Sequence, residues 1–319
     1  MNDNHFARPV IVLSACLNSE PVRYNGEIIR DAFVEKLKNF VDVITVCPEI
    51  EIGLSVPRDP IKLYFEKDTY RIYQTKTGLD LTAKLIRFST EFLNHLKNID
   101  GFLLKGKSPS CGFSGTKVYR DKNAKDILKR GMGLFAQIVK EKLPDKPIED
   151  ELRLKNSEIR HHFLASIFAH ADMRNIKKNA KSIRELIDFH TRYKYLLMLY
   201  SQKTLNHLGR IVAGYKKGSF EQTLSEYEKI FYTAFARKPG VKKHYNVLQH
   251  IYGYFSDKIK SSEKRHFLSL MKKLENEQIS LSAVIEIIRN FALRFENSYL
   301  MSQKYFSPYP EQLESSISG

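Results

Sequence analysis

The chain has 319 residues, 42% hydrophobic and 12% aromatic, which is enough apolar surface for two packed domains and too much for global disorder. No apolar run reaches the roughly 18 residues that a membrane-spanning helix requires, so no membrane partner is expected. The formal net charge of +16 splits into +4 over residues 1–150 and +12 over residues 151–319, so the basic excess sits in the second half and favours a polyanionic partner, nucleic acid above all.

The N-terminal MNDNHFARPVIVLSACLN carries an acidic residue and leads straight into a strand-like run, unlike a secretory signal. A cytoplasmic protein with reduced thiols is therefore expected. PVIVLSAC (9–16) is a β-branched run ending at Cys16, and RDAFVEKLKNF (30–40) has helical apolar spacing. VDVITVC (41–47) is a second strand-like run, ending at Cys47. IKLYFE and YRIYQT pair as strands across a charged turn, and LTAKLIRFSTEFLNHLK (81–97) is an amphipathic helix. IDGFLLKGKSPSC (99–111) is a third run, ending near Cys111, and AKDILKRGMGLFAQIVKEKL (124–143) has the spacing of another helix. The β-α-β order predicts an α/β domain over residues 1–147 with a mostly parallel, Rossmann-like sheet. PDKPIEDE (144–151) marks a boundary, and residues 148–319 predict an all-α helical bundle.

Each of the three cysteines follows a strand-like run. Such strand ends share one edge of an open parallel sheet, where ligands gather, so Cys16, Cys47 and Cys111 are expected to meet in space. Three thiolates suit a zinc ion with water as fourth ligand, or an iron–sulfur cluster with one iron left open. The bland alternative is three small buried hydrophobes. Gly112, Gly115, Pro48 and Pro109 beside the thiols favour shaped, reactive loops.

SACLNSEPVRYNG, VCPEIEIGLSVPRDPIKL and LKGKSPSCG resemble the three signature segments of the thiouracil desulfidase family over about residues 8–143. The resemblance implies a [4Fe-4S] cluster held by Cys16, Cys47 and Cys111 with one open iron. It also implies a catalytic pair, Glu49 and Ser108. Residues 151–310, through IRHHFLASIFAH and FHTRYKYLLMLYSQKTLNHLGRIVA, resemble the helical domain fused behind this one in proteins that are similar to desulfidases of 4-thiouridine in transfer RNA. The implied reaction replaces C=S by C=O without net electron transfer. In it Glu49 is the general base for water, and Ser108 donates to the ring nitrogen as it gains electron density. Glu49 could instead be an ordinary helix-start residue, and Ser108 and Ser110 ordinary turn residues.

Arg23 and Tyr24 are candidates to bind phosphate and stack on a base, or else anchor the Cys16 loop. Lys105 and Lys107 flank Ser108 as candidate phosphate contacts, and Arg58 reads as a structural ion-pair partner. In the second half, Lys177, Lys181 and Arg184 stand at i, i+4 and i+7, as if on one helical face. With Lys178, Arg192, Lys194, Lys242 and Lys243 they form the candidate RNA-binding set, Lys242 and Lys243 at a helix start. Three functions remain open on the residues: desulfidation of 4-thiouridine in transfer RNA, the same chemistry on a free thiopyrimidine or its nucleotide, and non-catalytic nucleic-acid binding around a metal.

Overall fold

The structure is a computed structural model that describes residues 6–121 and 126–314. The chain forms two compact units that divide between Asp172 and Met173, with the residues from Gln312 belonging to the first unit.

The first unit runs β1 (Val10–Ser14), α1 (Ala32–Lys38), β2 (Asp42–Val46), α2 (Pro48–Glu51), β3 (Ile61–Glu66), β4 (Thr69–Gln74), α3 (Thr82–His95), β5 (Gly101–Leu104), β6 (Thr116–Tyr119), β7 (Ile127–Gly131), α4 (Leu134–Lys142) and β8 (Ile148–Asp150). The expected parallel sheet is present, in the order β2-β1-β5-β8. In register, Val12 pairs with Ile44 on one side and Phe102 on the other, and Phe102 pairs with Ile148. Strands covered on both faces need continuous apolar runs, which is why Ile11, Val12, Leu13, Phe102, Leu103 and Leu104 are all buried. Because all four strands run the same way, the residues after Ser14, Val46, Leu104 and Asp150 come to one edge.

A second sheet has the order β4-β3-β6-β7. The β3–β4 hairpin is antiparallel as expected, Leu63 opposite Ile72, and β3 pairs with β6 in parallel. The single helix expected over 124–143, whose first two residues lie outside the described residues, is not formed over residues 126–143. Residues 127–131 pair with β6 as the edge strand β7, and α4 begins only at Leu134. Gly133, its N-cap, lies so close to the Cys111 loop that a Cβ there would sit 2.5 Å from the Ser110 carbonyl oxygen, a contact only glycine tolerates.

The division also falls later than residue 147. Ile148–Asp150 is the fourth strand of the parallel sheet, and Glu149, Asp150 and Glu151 are buried rather than solvated as in a linker. The first part of α5 (Ser157–Asn179) stays with the first unit, where Phe163, Leu164, Ile167 and Phe168 are buried.

The second unit continues all-helical, through α6 (Ile183–Tyr200), α7 (Gln202–Ala213), α8 (Phe220–Thr233), α9 (Val241–Tyr252), α10 (Ser261–Glu275), α11 (Leu281–Arg294) and the short α12 (Ser298–Met301). Its core is aromatic: the Phe189 ring centre lies 4.5 Å from Tyr193 and 5.2 Å from Phe231, and all three rings are buried. Each such ring contributes about 1.5–3 kcal/mol by leaving water. The long helical run after residue 179 is cut at Ser201, which adopts an extended backbone, ends α6, and caps α7 by accepting from the Thr204 N–H at 3.2 Å.

Candidate metal centre

Cys16 lies two residues beyond β1 and half-buried. Cys47 follows β2 directly and is the N-cap of α2, with Pro48 stiffening the turn. Cys111 lies in the loop after β5, 5% exposed. That loop is closely packed: a Cβ on Gly112 would stand 2.2 Å from Thr116 Oγ1, whose hydroxyl donates to the Ser108 carbonyl at 3.1 Å. The three thiols share one electrostatic environment. Burial first and then Cys47 push the Cys16 thiol up to about 12, burial raises Cys47, and burial together with Cys47 and Cys16 raises Cys111 further. The Glu49 carboxylate adds to all three. Such thiols stay protonated until a cation at bonding distance displaces the proton. Among the described residues, no group of three or more His, Cys, Asp or Glu side chains is placed to hold a metal ion.

Glu49 is fixed at both oxygens. Arg58 donates to Oε2 from Nε at 2.9 Å and from Nη2 at 2.7 Å, while Ser110 donates to Oε1 at 2.8 Å. The Arg58 side chain is 4% exposed and that of Glu49 13%, so this is a buried ion pair, as the sequence suggested for Arg58. Ser110 Oγ has one proton and gives it to Glu49, so at 3.0 Å it accepts from Ser108 Oγ. A chain of hydroxyls therefore runs Ser108 to Ser110 to Glu49. Ser108 is itself held by accepting from the backbone N–H of Cys111 at 3.1 Å.

The other expected substrate contacts are placed as follows. Arg23 pairs with Glu27 at 2.9 Å and lies 5.4 Å from the centre of the Tyr24 ring, which is exposed. Their loop is joined to the site through its backbone: the Val22 carbonyl accepts from Arg58 Nη1, and the Tyr24 carbonyl accepts from the Arg58 N–H. Lys105 is engaged with Glu151, at 2.6 Å, and with the Gly106 carbonyl. Glu151, 4% exposed, also accepts from the Gly106 N–H at 2.6 Å and fixes the start of the Cys111 loop. Lys107 is exposed, with φ +60°. Sequence reasoning missed Glu151 and the link through Ser110. The one available hint was three consecutive acids directly after a short apolar run.

In the second unit, Lys177, Lys181 and Arg184 do not share a helical face. α5 ends at Asn179, Lys181 lies between helices with its N–H donating to Glu185, and Arg184 belongs to α6. The break follows from Ser182, whose extended backbone and hydroxyl bond to Glu185 start a new helix. Lys177 pairs with Glu228, and Lys178, Lys181 and Arg184 are exposed. Arg192 and Lys194 are half-buried, Lys194 lying 5.5 Å from the Tyr195 ring centre. Lys242 and Lys243 do start a helix, α9, and Lys243 donates to the Tyr200 carbonyl at 2.6 Å.

Fold and site together define an α/β domain with Cys16, Cys47 and the Glu49–Ser110–Ser108 chain beyond the carboxyl edge of its parallel sheet and Cys111 in the loop after β5, followed by a helical domain. Residues 11–151 match the family described as 2-thiouracil desulfurase, and residues 194–310 match a second, described as protein of unknown function (DUF1722). YbbK of Bacillus subtilis (strain 168), described as uncharacterized, is 30% identical over 125 residues, which is 34% of this chain and 82% of YbbK. YbgA of Escherichia coli (strain K12), also described as uncharacterized, is 26% identical over 157 residues, 49% of this chain and 93% of YbgA. Among solved structures, the [4Fe-4S]-dependent thiouracil desulfidase TudS is 28% identical, covering 46% of this chain and 93% of its own, with a TM-score of 0.38. Through its first domain the chain belongs to the 2-thiouracil desulfurase family.

Proposed function

We propose that the protein is a non-redox desulfidase that converts 4-thiouridine in transfer RNA to uridine in the cytosol, with a [4Fe-4S] cluster held by Cys16, Cys47 and Cys111. The observation that carries this reading is the Glu49–Ser110–Ser108 chain beside buried Cys111, whose thiol shares an electrostatic environment with the half-buried Cys16 and Cys47. The donor set fits the group. Cys16, Cys47 and Cys111 supply three soft sulfur donors that influence one another's charge, the donor type that holds iron–sulfur clusters. When bound, such a cluster offers one iron without a protein ligand as a Lewis acid for the thiocarbonyl sulfur.

The residues of the chain supply the remaining work. Glu49 takes a proton from the attacking water, and Arg58 keeps its carboxylate oriented. With substrate bound, Ser108 turns its one hydroxyl proton from Ser110 toward the ring nitrogen beside the reacting carbon, while Ser110 keeps its own on Glu49. The water oxygen replaces sulfur, which leaves with the C–S electron pair as hydrosulfide, and the remaining proton goes to solvent. No electron donor is required.

The case for an RNA substrate rests on the net +12 of residues 151–319 and on the exposed Lys178, Lys181, Arg184 and Lys242. A second reading is the same reaction on free thiouracil or a thiouridine nucleotide, because the thiols, Glu49 and both serines all belong to the first unit. Anaerobically reconstituted protein should release hydrosulfide from thiolated transfer RNA. Release from 4-thiouridine monophosphate alone selects the second reading. Release from neither, by a protein that binds RNA, leaves a non-catalytic metalloprotein.

A further inference from the structure

We infer that a cleft on the first unit, beside the Cys111 loop, binds the single-stranded polynucleotide that flanks the reacting base. The inference rests on the desulfidase reading above and names the part of the substrate bound next to that site. The cleft has a volume of about 610 Å³, and its walls include Tyr70, Phe113, Gly115, Arg130, Met132 and Lys140. Phe113 is two residues from Cys111, so the cleft opens on the loop that carries a proposed ligand thiol. Its residues come from the start of β4, that loop, the end of β7 and α4.

The lining chemistry is that of a nucleic-acid strand site. Tyr70 packs edge-on against Phe65 with ring centres 5.1 Å apart, and Lys129 lies 4.5 Å from the Phe65 ring centre and 5.1 Å from that of Tyr70. Aromatic faces beside cations accept bases of any sequence and the phosphates between them. Arg130 and Lys140 are exposed at the rim and contact only neutral carbonyls, of Gly115 at 3.4 Å and Pro144 at 2.9 Å. Among the described residues, Arg130 and Lys140 form no ion pair, so two lining cations stand against the one lining carboxylate, Glu141, with Lys129 behind Tyr70 as a third positive charge nearby. Gly115, at φ +69°, has no atom within 4 Å of where a Cβ would stand, which leaves its backbone open to a ligand. This excess positive charge on an aromatic, mostly apolar wall fits an extended polyanion better than a neutral small molecule.

The test is the double variant Arg130→Glu/Lys140→Glu, with Arg130→Gln/Lys140→Gln as the milder form, on the full chain loaded with its cluster. Binding of a fluorescent, unthiolated single-stranded RNA is read by anisotropy across salt concentrations, and turnover of 4-thiouridine monophosphate is measured beside it. The charge reversal should weaken RNA binding at least about tenfold and lower the salt slope by about 1.4, two phosphates at about 0.7 each. Cluster absorbance and mononucleotide turnover should stay at wild-type values. Unchanged RNA affinity and slope overturn the inference, as does a wild-type protein that binds no RNA. An equal loss of mononucleotide turnover overturns it too, by assigning the cleft to the substrate's own phosphate. If the reversal weakens RNA binding while wild-type protein desulfidates nothing, the cleft stands and the desulfidase reading fails.

Discussion

Arg58 places two N–H donors on one oxygen of Glu49 and leaves the other oxygen to Ser110. The pair is nearly sealed from solvent, so removing one partner strands a buried charge. Arg58→Leu should therefore destabilise the first unit by about 3–5 kcal/mol, whereas Arg58→Leu combined with Glu49→Leu should cost less. Chemical denaturation of the three proteins checks this. A single variant no less stable than the double one contradicts it.

Glu49→Gln keeps the shape and the Ser110 contact but removes the base. It should retain the cluster's visible absorbance and lose about 10²–10⁴ in turnover. Ser110→Ala should also lower kcat with the cluster intact, because it cuts the link between Ser108 and Glu49 and gives up only a long, 3.7 Å contact to the Cys111 sulfur. Turnover near wild type in either variant refutes the corresponding role.

Much of this site was legible because the strands are. Cys16 and Cys47 follow closely on apolar runs whose parallel strands must deliver their ends to one edge, while Cys111 lies in a loop beyond the end of β5. What stayed hidden depends on contacts between distant positions. Ser110 meets Glu49 across 61 residues and Glu151 meets Lys105 across 46, and no local pattern records either contact. The edge strand β7 was obscured because Ile127 and Leu128 are both largely exposed, so the ILKRG segment shows no two-residue alternation. The charge ladder at Lys177, Lys181 and Arg184 failed because helical spacing was carried through Ser182, a residue that starts a helix better than it continues one.

Burial holds the His161 imidazole at about 4. Burial, with help from Lys146, holds His170 at about 3 despite the Ser166 and Asp145 carbonyls at its ring nitrogens. Their folded values lie below the unfolded value of about 6.5, so below that pH the unfolded chain binds protons that the folded one refuses. Stability should fall as pH drops below about 6.5, by up to about 1.4 kcal/mol per pH unit for each histidine, and level off near their folded values. In His170→Gln the fall between pH 6.5 and 4 should be shallower by about one such share. An unchanged slope in denaturation series speaks against a neutral, buried His170.

For the helical domain, Lys178→Glu, Lys181→Glu and Arg184→Glu together should weaken transfer RNA binding and reduce its salt slope by about 0.7–0.9 for each phosphate no longer neutralised. Far-ultraviolet circular dichroism should be unchanged, since all three side chains are exposed. Undiminished binding places the RNA surface elsewhere.

The proposed convergence of three thiols on one inorganic centre is tested most directly by iron content. Anaerobically prepared wild-type protein should carry about four irons per chain, with broad absorption near 400 nm. Cys16→Ala, Cys47→Ala and Cys111→Ala should each lose the stable cluster and all turnover. Any one of these variants that keeps full iron and full activity contradicts the shared centre.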